Sequence, residues 1–205
     1  MEKEKHEKTL KLGLIGTGRI GKLHAENIVS AVKEAELKSV ADIFMNSSIE
    51  KWAQGLGITN TYDDYRMIIE DEEIDAVLIC SSTDTHSKFI VEAAKAGKHV
   101  FCEKPVDLDV EKIKGALDAV RKANVKLQVG FNRRFDHNFR RVKELVREGK
   151  IGDIHLLRIT SRDPAPPPLE YVKVSGGIFL DMTIHDFDMA RYLTGSEVDE
   201  VYAVG

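Results

Sequence analysis

From Leu10 onward, short apolar runs alternate with longer segments whose apolar residues recur every three or four positions. Residues 11–15, 37–41, 76–80, 98–102 and 126–130 read as strands. Ile20, Leu23, His24, Asn27 and Ile28 mark a helix after the first strand, Phe89, Ile90, Ala93 and Ala94 a later one, and Val110, Ile113, Leu117 and Val120 the next. Strands alternating with helices imply βαβ units and a parallel sheet. Strands buried on both faces carry unbroken apolar runs, and AVLIC and HVFC fit that description. The expected fold class is α/β: a doubly wound parallel sheet over residues 10–130, followed by an α+β region at 131–205.

The pattern changes after Gly130. A helix is expected at 139–149, with Phe139, Val142, Leu145 and Val146 on one side. Residues 154–160 alternate as a strand does. The run from Asp163 to Pro168 holds three consecutive prolines, which fit neither helix interior nor central strand, so it reads as a stiff loop. Ser175, Gly176 and Gly177 read as a joint, 181–193 as a helix stopped near Gly195, and Val198, Val201, Ala203 and Val204 as the start of a strand. Residues 1–9 form a charged tail, expected to be disordered.

The first βα connection holds Gly16-Thr17-Gly18-Arg19-Ile20-Gly21. Placed between a strand and a helix, GxGxxG is the dinucleotide-binding arrangement. Gly16 makes the tight turn, Gly18 lets the backbone approach a pyrophosphate, and Gly21 lets helix and strand pack closely. The helix start then offers N–H groups and a positive dipole end to phosphate. Asp42 ends the second strand about 20 residues beyond Gly21, where an acid holds the adenosine ribose. A carboxylate there repels a 2′-phosphate. Ile43 and Phe44 follow with no adjacent arginine, so NAD is favoured over NADP. Ser81, Ser82 and Thr83, at the end of the AVLIC strand, suit a wall against ribose or nicotinamide. Asp84 reads as a helix cap, and His86 as either a structural or a ligand-facing residue.

Chemistry beyond cofactor binding has two candidate centres. The HVFC strand runs into Glu103-Lys104-Pro105, and the proline holds Lys104 at the strand's end. A lysine there can stabilise a developing alkoxide. Farther on, Asp181, His185 and Asp188 share one face if the helix is already formed at Asp181. His185 could accept a hydroxyl proton as hydride leaves the same carbon, while Asp181 orients the imidazole or grips a neighbouring hydroxyl. Asp, His and Asp on one face could alternatively bind a metal, which nicotinamide chemistry does not need.

Composition narrows the field. Thirty Lys and Arg against 34 Asp and Glu give a net charge of −4, so nothing calls for nucleic acid or an acidic membrane. Cys80 and Cys102 are too few for a disulfide framework and form no CxxC pair. The N-terminal residues hold no secretory h-region, and no apolar run is long enough to span a bilayer. The expectation is a cytoplasmic α/β enzyme.

Together GTGRIG, Asp42, EKP at 103–105 and GGIFLDMTIHDFDMARYL at 176–193 resemble the glucose–fructose oxidoreductase, inositol dehydrogenase and rhizopine-catabolism family (Gfo/Idh/MocA). Within it, GFNRRFD at 130–136 and SRDPAPPP at 161–168 look most like its inositol-oxidising members. The resemblance implies oxidation of a polyol, myo-inositol to scyllo-inosose, with reduction of NAD. It carries the catalytic role onto Lys104, Asp181 and His185, and makes Arg134, Asp163 and Asp188 candidate substrate contacts. Glu103 joins the cofactor contacts, with His86. Another sugar or cyclitol dehydrogenase, or a non-catalytic NAD-binding sensor, is the alternative, since the family also contains a transcriptional repressor. Family members continue past residue 205, so the resemblance implies a C-terminally truncated substrate domain. Its open strand edges predict a homo-oligomer, a dimer or higher, with exchanged elements as one route to closure.

Overall fold

The computed structural model describes residues 9–167, 169–172 and 175–204. The charged tail before Thr9, and Pro168 of the proline run, lie outside the described residues. The chain divides into two compact units, Met1–Gly130 and Phe131–Gly205.

In the first unit, β1 (Leu10–Ile15), α1 (Arg19–Ala31), β2 (Ala35–Ala41), α2 (Ser47–Gly55), β3 (Asn60–Tyr62), α3 (Arg66–Ile69), β4 (Ala76–Ile79), α4 (Thr83–Lys95), β5 (His99–Cys102), α5 (Val110–Ala123) and β6 (Leu127–Val129) follow one another. The strands form one parallel sheet in the order β3-β2-β1-β4-β5-β6. The five expected strands are present. The sequence pattern did not anticipate β3, α2 or α3. Asn60–Tyr62 is a half-buried, three-residue edge strand without an apolar run, so it leaves little periodic signal.

The strands' period of two sorts the core into two layers. Leu14, Val40 and Leu78 pack with Ala25 and Ile28 of α1 and Ala53 of α2. Their chain neighbours Ile15, Ala41, Val77 and Ile79 pack on the other face with Ile68 of α3, Phe89 and Ile90 of α4, and Ala116 of α5. Both faces are therefore apolar, which is why these strands read as unbroken hydrophobic runs. Because β1 lies between β2 and β4, the carboxyl ends of these three strands converge where the strand order reverses, the customary ligand position in such sheets.

In the second unit a 3₁₀ turn (Asn132–Phe135) leads into α6 (His137–Arg147), followed by α7 (Leu169–Val172), α8 (Gly177–Asp181) and α9 (Ile184–Thr194). Asp136 caps α6 by accepting from the N–H groups of Asn138 and Phe139. Two expectations fail here. Residues 154–160 and 198–204 form no strand, because none of the described residues supplies a hydrogen-bonded neighbour. Their apolar side chains stand in solvent: Leu156 is 85% and Val201 82% exposed. The single helix expected over 181–193 is also interrupted. Thr183 turns its hydroxyl back onto the carbonyls of Ile178 and Phe179, and its N–H also bonds Ile178, so the regular ladder breaks between α8 and α9.

Candidate dinucleotide and polyol-oxidation sites

The glycine turn follows directly from β1. Gly16 has a φ of +97°, and a β-carbon there would lie 2.6 Å from the backbone of Cys80 and Ser81. At Gly21 a β-carbon would lie 2.0 Å from the Gly16 carbonyl oxygen. Both glycines are thus demanded by the loop's own packing. Gly18 differs: a β-carbon there would meet nothing within 4 Å. That open side is where a ligand backbone can approach. Gly18 also precedes α1 without a capping side chain, and no acid lies in the helix's first turn. The first N–H groups of α1 are therefore left for an anionic ligand. Arg19 is exposed and Ile20 half-buried at the same turn. These features fit a dinucleotide.

Asp42 follows β2 and faces this turn. Its Oδ2 accepts from both the N–H and the hydroxyl of Thr17, each at 2.7 Å, and its Oδ1 accepts from the Phe44 N–H at 2.9 Å. Partial burial pushes the carboxyl up, but these donors, with Lys22 nearby, outweigh it and hold Asp42 below its ordinary value. Thr17, expected among the cofactor contacts, is buried and spends both of its donors on Asp42. Ile43 and Phe44 are 80% and 77% exposed beside it.

At the end of β4, Ser81 and Thr85 bond each other through their hydroxyls at 2.6 Å. Ser82 precedes α4 without a side-chain cap, Thr83 opens the helix, and Asp84 lies exposed in its first turn instead of capping it. His86 is 2% exposed, with Nδ1 2.8 Å from the Pro105 carbonyl and Nε2 3.0 Å from that of Ser81. The buried ring thereby stands between the carbonyls of the segment after β4 and the segment after β5.

Lys104 is half-buried and joins Pro105 through a cis peptide bond. Beside it, Glu103 pairs with Nε2 of His24 at 2.8 Å and accepts from the Lys104 N–H at 3.3 Å. His24 comes from α1 and packs edge-on against Phe101, with ring centroids 5.0 Å apart. A β-carbon at Gly130 would come within 3.0 Å of the Glu103 carboxylate, so that glycine makes room for it. Sequence reasoning placed His24 only as a helix marker. The available signal was a histidine on the helix stripe, one turn beyond Gly21.

The second unit holds the other candidates. Asp181 closes α8 and His185 lies in the first turn of α9, so they do not share one continuous helix. Asp188 is buried, and its carboxylate takes a two-pronged grip from Arg134, Nε to Oδ2 at 2.8 Å and Nη2 to Oδ1 at 2.6 Å. That hydrogen-bonded pair raises the Arg134 guanidinium further above its ordinary value. Arg133 makes a single contact, Nη1 to Oδ1 of Asp186, and the same oxygen accepts from the Ser161 hydroxyl at 2.6 Å. The two arginines of the 3₁₀ turn thus clamp the start of α9. Asp163 is exposed in the irregular segment before α7. Among the described residues, no group of three His, Cys, Asp or Glu side chains could hold a metal, and no helix is long and apolar enough to cross a membrane.

A parallel sheet with a glycine turn after β1, and Asp42 bonded against that turn after β2, defines the class: a dinucleotide-binding Rossmann fold. Residues 10–131 match the oxidoreductase family with an NAD-binding Rossmann fold (GFO_IDH_MocA), and residues 139–205 match the GFO/IDH/MocA C-terminal domain. The chain belongs to this family. It is 53% identical over 196 residues to a myo-inositol 2-dehydrogenase of Thermotoga maritima, covering 96% of this chain and 58% of that protein. It is 41% identical to a scyllo-inositol 2-dehydrogenase (NAD(+)) of Bacillus subtilis, over 97% of this chain and 58% of that protein. A crystal structure of scyllo-inositol dehydrogenase from Lactobacillus casei, with bound NAD(H) and scyllo-inositol, superposes with a TM-score of 0.85 at 41% identity, covering 94% of this chain and 58% of that one. The chain therefore spans a little over half the length of these relatives.

Proposed function

We propose that the protein is an NAD-dependent dehydrogenase that oxidises a secondary hydroxyl of an inositol to a ketone, with myo-inositol going to scyllo-inosose. The observation that carries this reading is the Gly16–Gly21 turn with Asp42 held in ionised form beside it, in a chain whose relatives at 53% and 41% identity are inositol dehydrogenases. NAD, when bound, supplies the hydride acceptor. Gly18 and the start of α1 receive its pyrophosphate, Asp42 its ribose, and Ser82 and Thr83 stand along its path.

Lys104, Asp181 and His185 carry the chemistry in this proposal. His185 takes the proton from the substrate hydroxyl as the carbon's hydrogen departs with its electron pair. The Lys104 ammonium stabilises the oxygen as negative charge develops there. Asp181 orients the imidazole or holds a neighbouring hydroxyl. A ring of hydroxyls needs several polar partners, and Asp163 and Arg134 are the further candidates. Asp188, with both oxygens on Arg134, acts as a brace for the helix that carries His185. Its expected role as a direct substrate contact is the less supported of the two. Scyllo-inositol is the second substrate in line, because the Bacillus subtilis relative is a dehydrogenase of that isomer.

Mixing the protein with NAD and myo-inositol and following the absorbance of reduced nicotinamide tests the reading. Turnover is expected, and Lys104→Ala and His185→Ala should each lower it by about a hundredfold or more while NADH still binds. Tight NADH binding with no turnover on any inositol would contradict it and favour a sensor. The exposed apolar residues of 154–160 and 198–204 support assembly into a homo-oligomer, which light scattering would show. A cytoplasmic setting is part of the same proposal.

A further inference from the structure

Beside the glycine turn, one buried side chain converges on the key carboxylate of the dinucleotide site. Thr17 is 4% exposed, and its N–H and hydroxyl converge on the same oxygen, Oδ2 of Asp42. The Phe44 N–H takes Oδ1. An ionised carboxylate offers about four acceptor positions, so the protein itself fills all but about one. Three donors from two sides leave the carboxylate no freedom to rotate. One acceptor position, on Oδ1, is left for a ribose hydroxyl.

We propose that Thr17 is a positioning residue that sets the preference for NAD over NADP by fixing the Asp42 carboxylate through its hydroxyl. The proposal rests on the assignment of Asp42 to the ribose. A fixed carboxylate meets a 2′-hydroxyl as an acceptor and a 2′-phosphate as a charge it cannot turn away from. Without the Thr17 hydroxyl, the Thr17 and Phe44 N–H groups still hold one bond each, and the carboxylate can swing about them. The ribose then loses a preorganised acceptor and the 2′-phosphate loses part of its repulsion, so the two affinities approach each other from both sides. The role differs from that of Gly16 and Gly21, which shape the turn whatever occupies it.

The test is the ratio of dissociation constants for NADH and NADPH, read by nicotinamide fluorescence without any turnover. Thr17→Val keeps the side chain's shape and removes the donor; it should narrow the ratio by about tenfold, the scale of one hydrogen bond to a charged group. Thr17→Ser, which keeps the donor, should stay within about twofold of the parent. Thr17→Ala removes the donor without adding bulk and serves if the valine variant folds poorly, which thermal unfolding reports. An unchanged ratio in the donor-lacking variants, or an equal loss for both cofactors, would overturn the inference. Asp42→Ala separates the two claims. If it collapses the ratio while the Thr17 variants do not, the ribose assignment stands and the Thr17 inference fails. If it leaves the ratio unchanged, the ribose assignment itself is wrong and the inference falls with it.

Discussion

Each of the two units of this chain is stabilised internally by different physics. In the first, apolar side chains from six strands and their helices close into two layers, and the polar site sits at the strand ends on top of that core. In the second, Met189 and Leu193 are the buried apolar side chains among the described residues. Polar links take over there: Arg134 on Asp188, Arg133 on Asp186, and Ser161 on Asp186. A core fixes geometry by volume and tolerates little change. A clamp fixes it by a few directed bonds, and each can be removed singly. The cofactor unit is thereby a rigid platform, and the proposed proton-accepting helix is an element whose placement depends on named ion pairs.

The largest effect is expected where the core is densest. Leu14 is fully buried at the centre of the sheet, and Leu14→Ala should cost about 4 kcal/mol in denaturant unfolding. A cost below about 1 kcal/mol would mean that the first unit does not rest on its core. Next comes Gly21→Ala. Its new methyl would press on the Gly16 carbonyl, which belongs to backbone that cannot step aside, so about 3 kcal/mol and most NADH affinity should be lost. Titration with NADH measures the second part.

In the second unit, Asp188→Asn breaks a pair with one buried and one partly exposed partner, Asp188 at 5% and Arg134 at 39% side-chain exposure. About 2 kcal/mol is expected, short of the cost for a fully buried pair because solvent screens the guanidinium. NADH affinity should stay within about twofold, whereas a parallel loss of cofactor binding would erase the contrast between the units. The exposed Arg191–Glu197 pair should contribute nothing measurable when broken.

A pH-dependent effect concerns Cys80, whose thiol burial pushes up to about 12, with the Glu103 charge adding to the shift. Native protein should label with thiol reagents far more slowly at mildly alkaline pH than unfolded protein. Between the ordinary thiol range and about pH 12 the folded chain keeps a proton that the unfolded chain has released, so stability should fall progressively as pH rises through that window. Equal labelling rates for native and unfolded chains would show that the strand ends are open.

The contrast between the units also explains what could be read in advance. β1, β4 and β5 are legible because both faces of the sheet are covered, and the GxGxxG turn with Asp42 is legible because local backbone geometry demands it. The edge strand β3 is three mostly polar residues, paired to β2 alone, and leaves no pattern. Residues 154–160 show the opposite failure: alternation gives a chain two faces, but a strand also needs a neighbour to bond. The break at Thr183 is hidden because a threonine hydroxyl's competition for carbonyls depends on the local path of the chain. His24–Glu103, Thr17–Asp42 and Arg134–Asp188 join residues far apart in the chain, so only the fold reveals them. Two residues that the sequence offers as ligand contacts, Thr17 and Asp188, also hydrogen-bond other side chains of the protein.

The most direct test of the account follows one atom. Myo-inositol carrying deuterium on the carbon to be oxidised is incubated with the protein and NAD, and the reduced nicotinamide is examined by mass spectrometry. Hydride transfer from that carbon predicts one deuterium in the reduced cofactor, formed together with an equal amount of ketone. Bound NAD that stays oxidised, or reduced cofactor without the label, would contradict it.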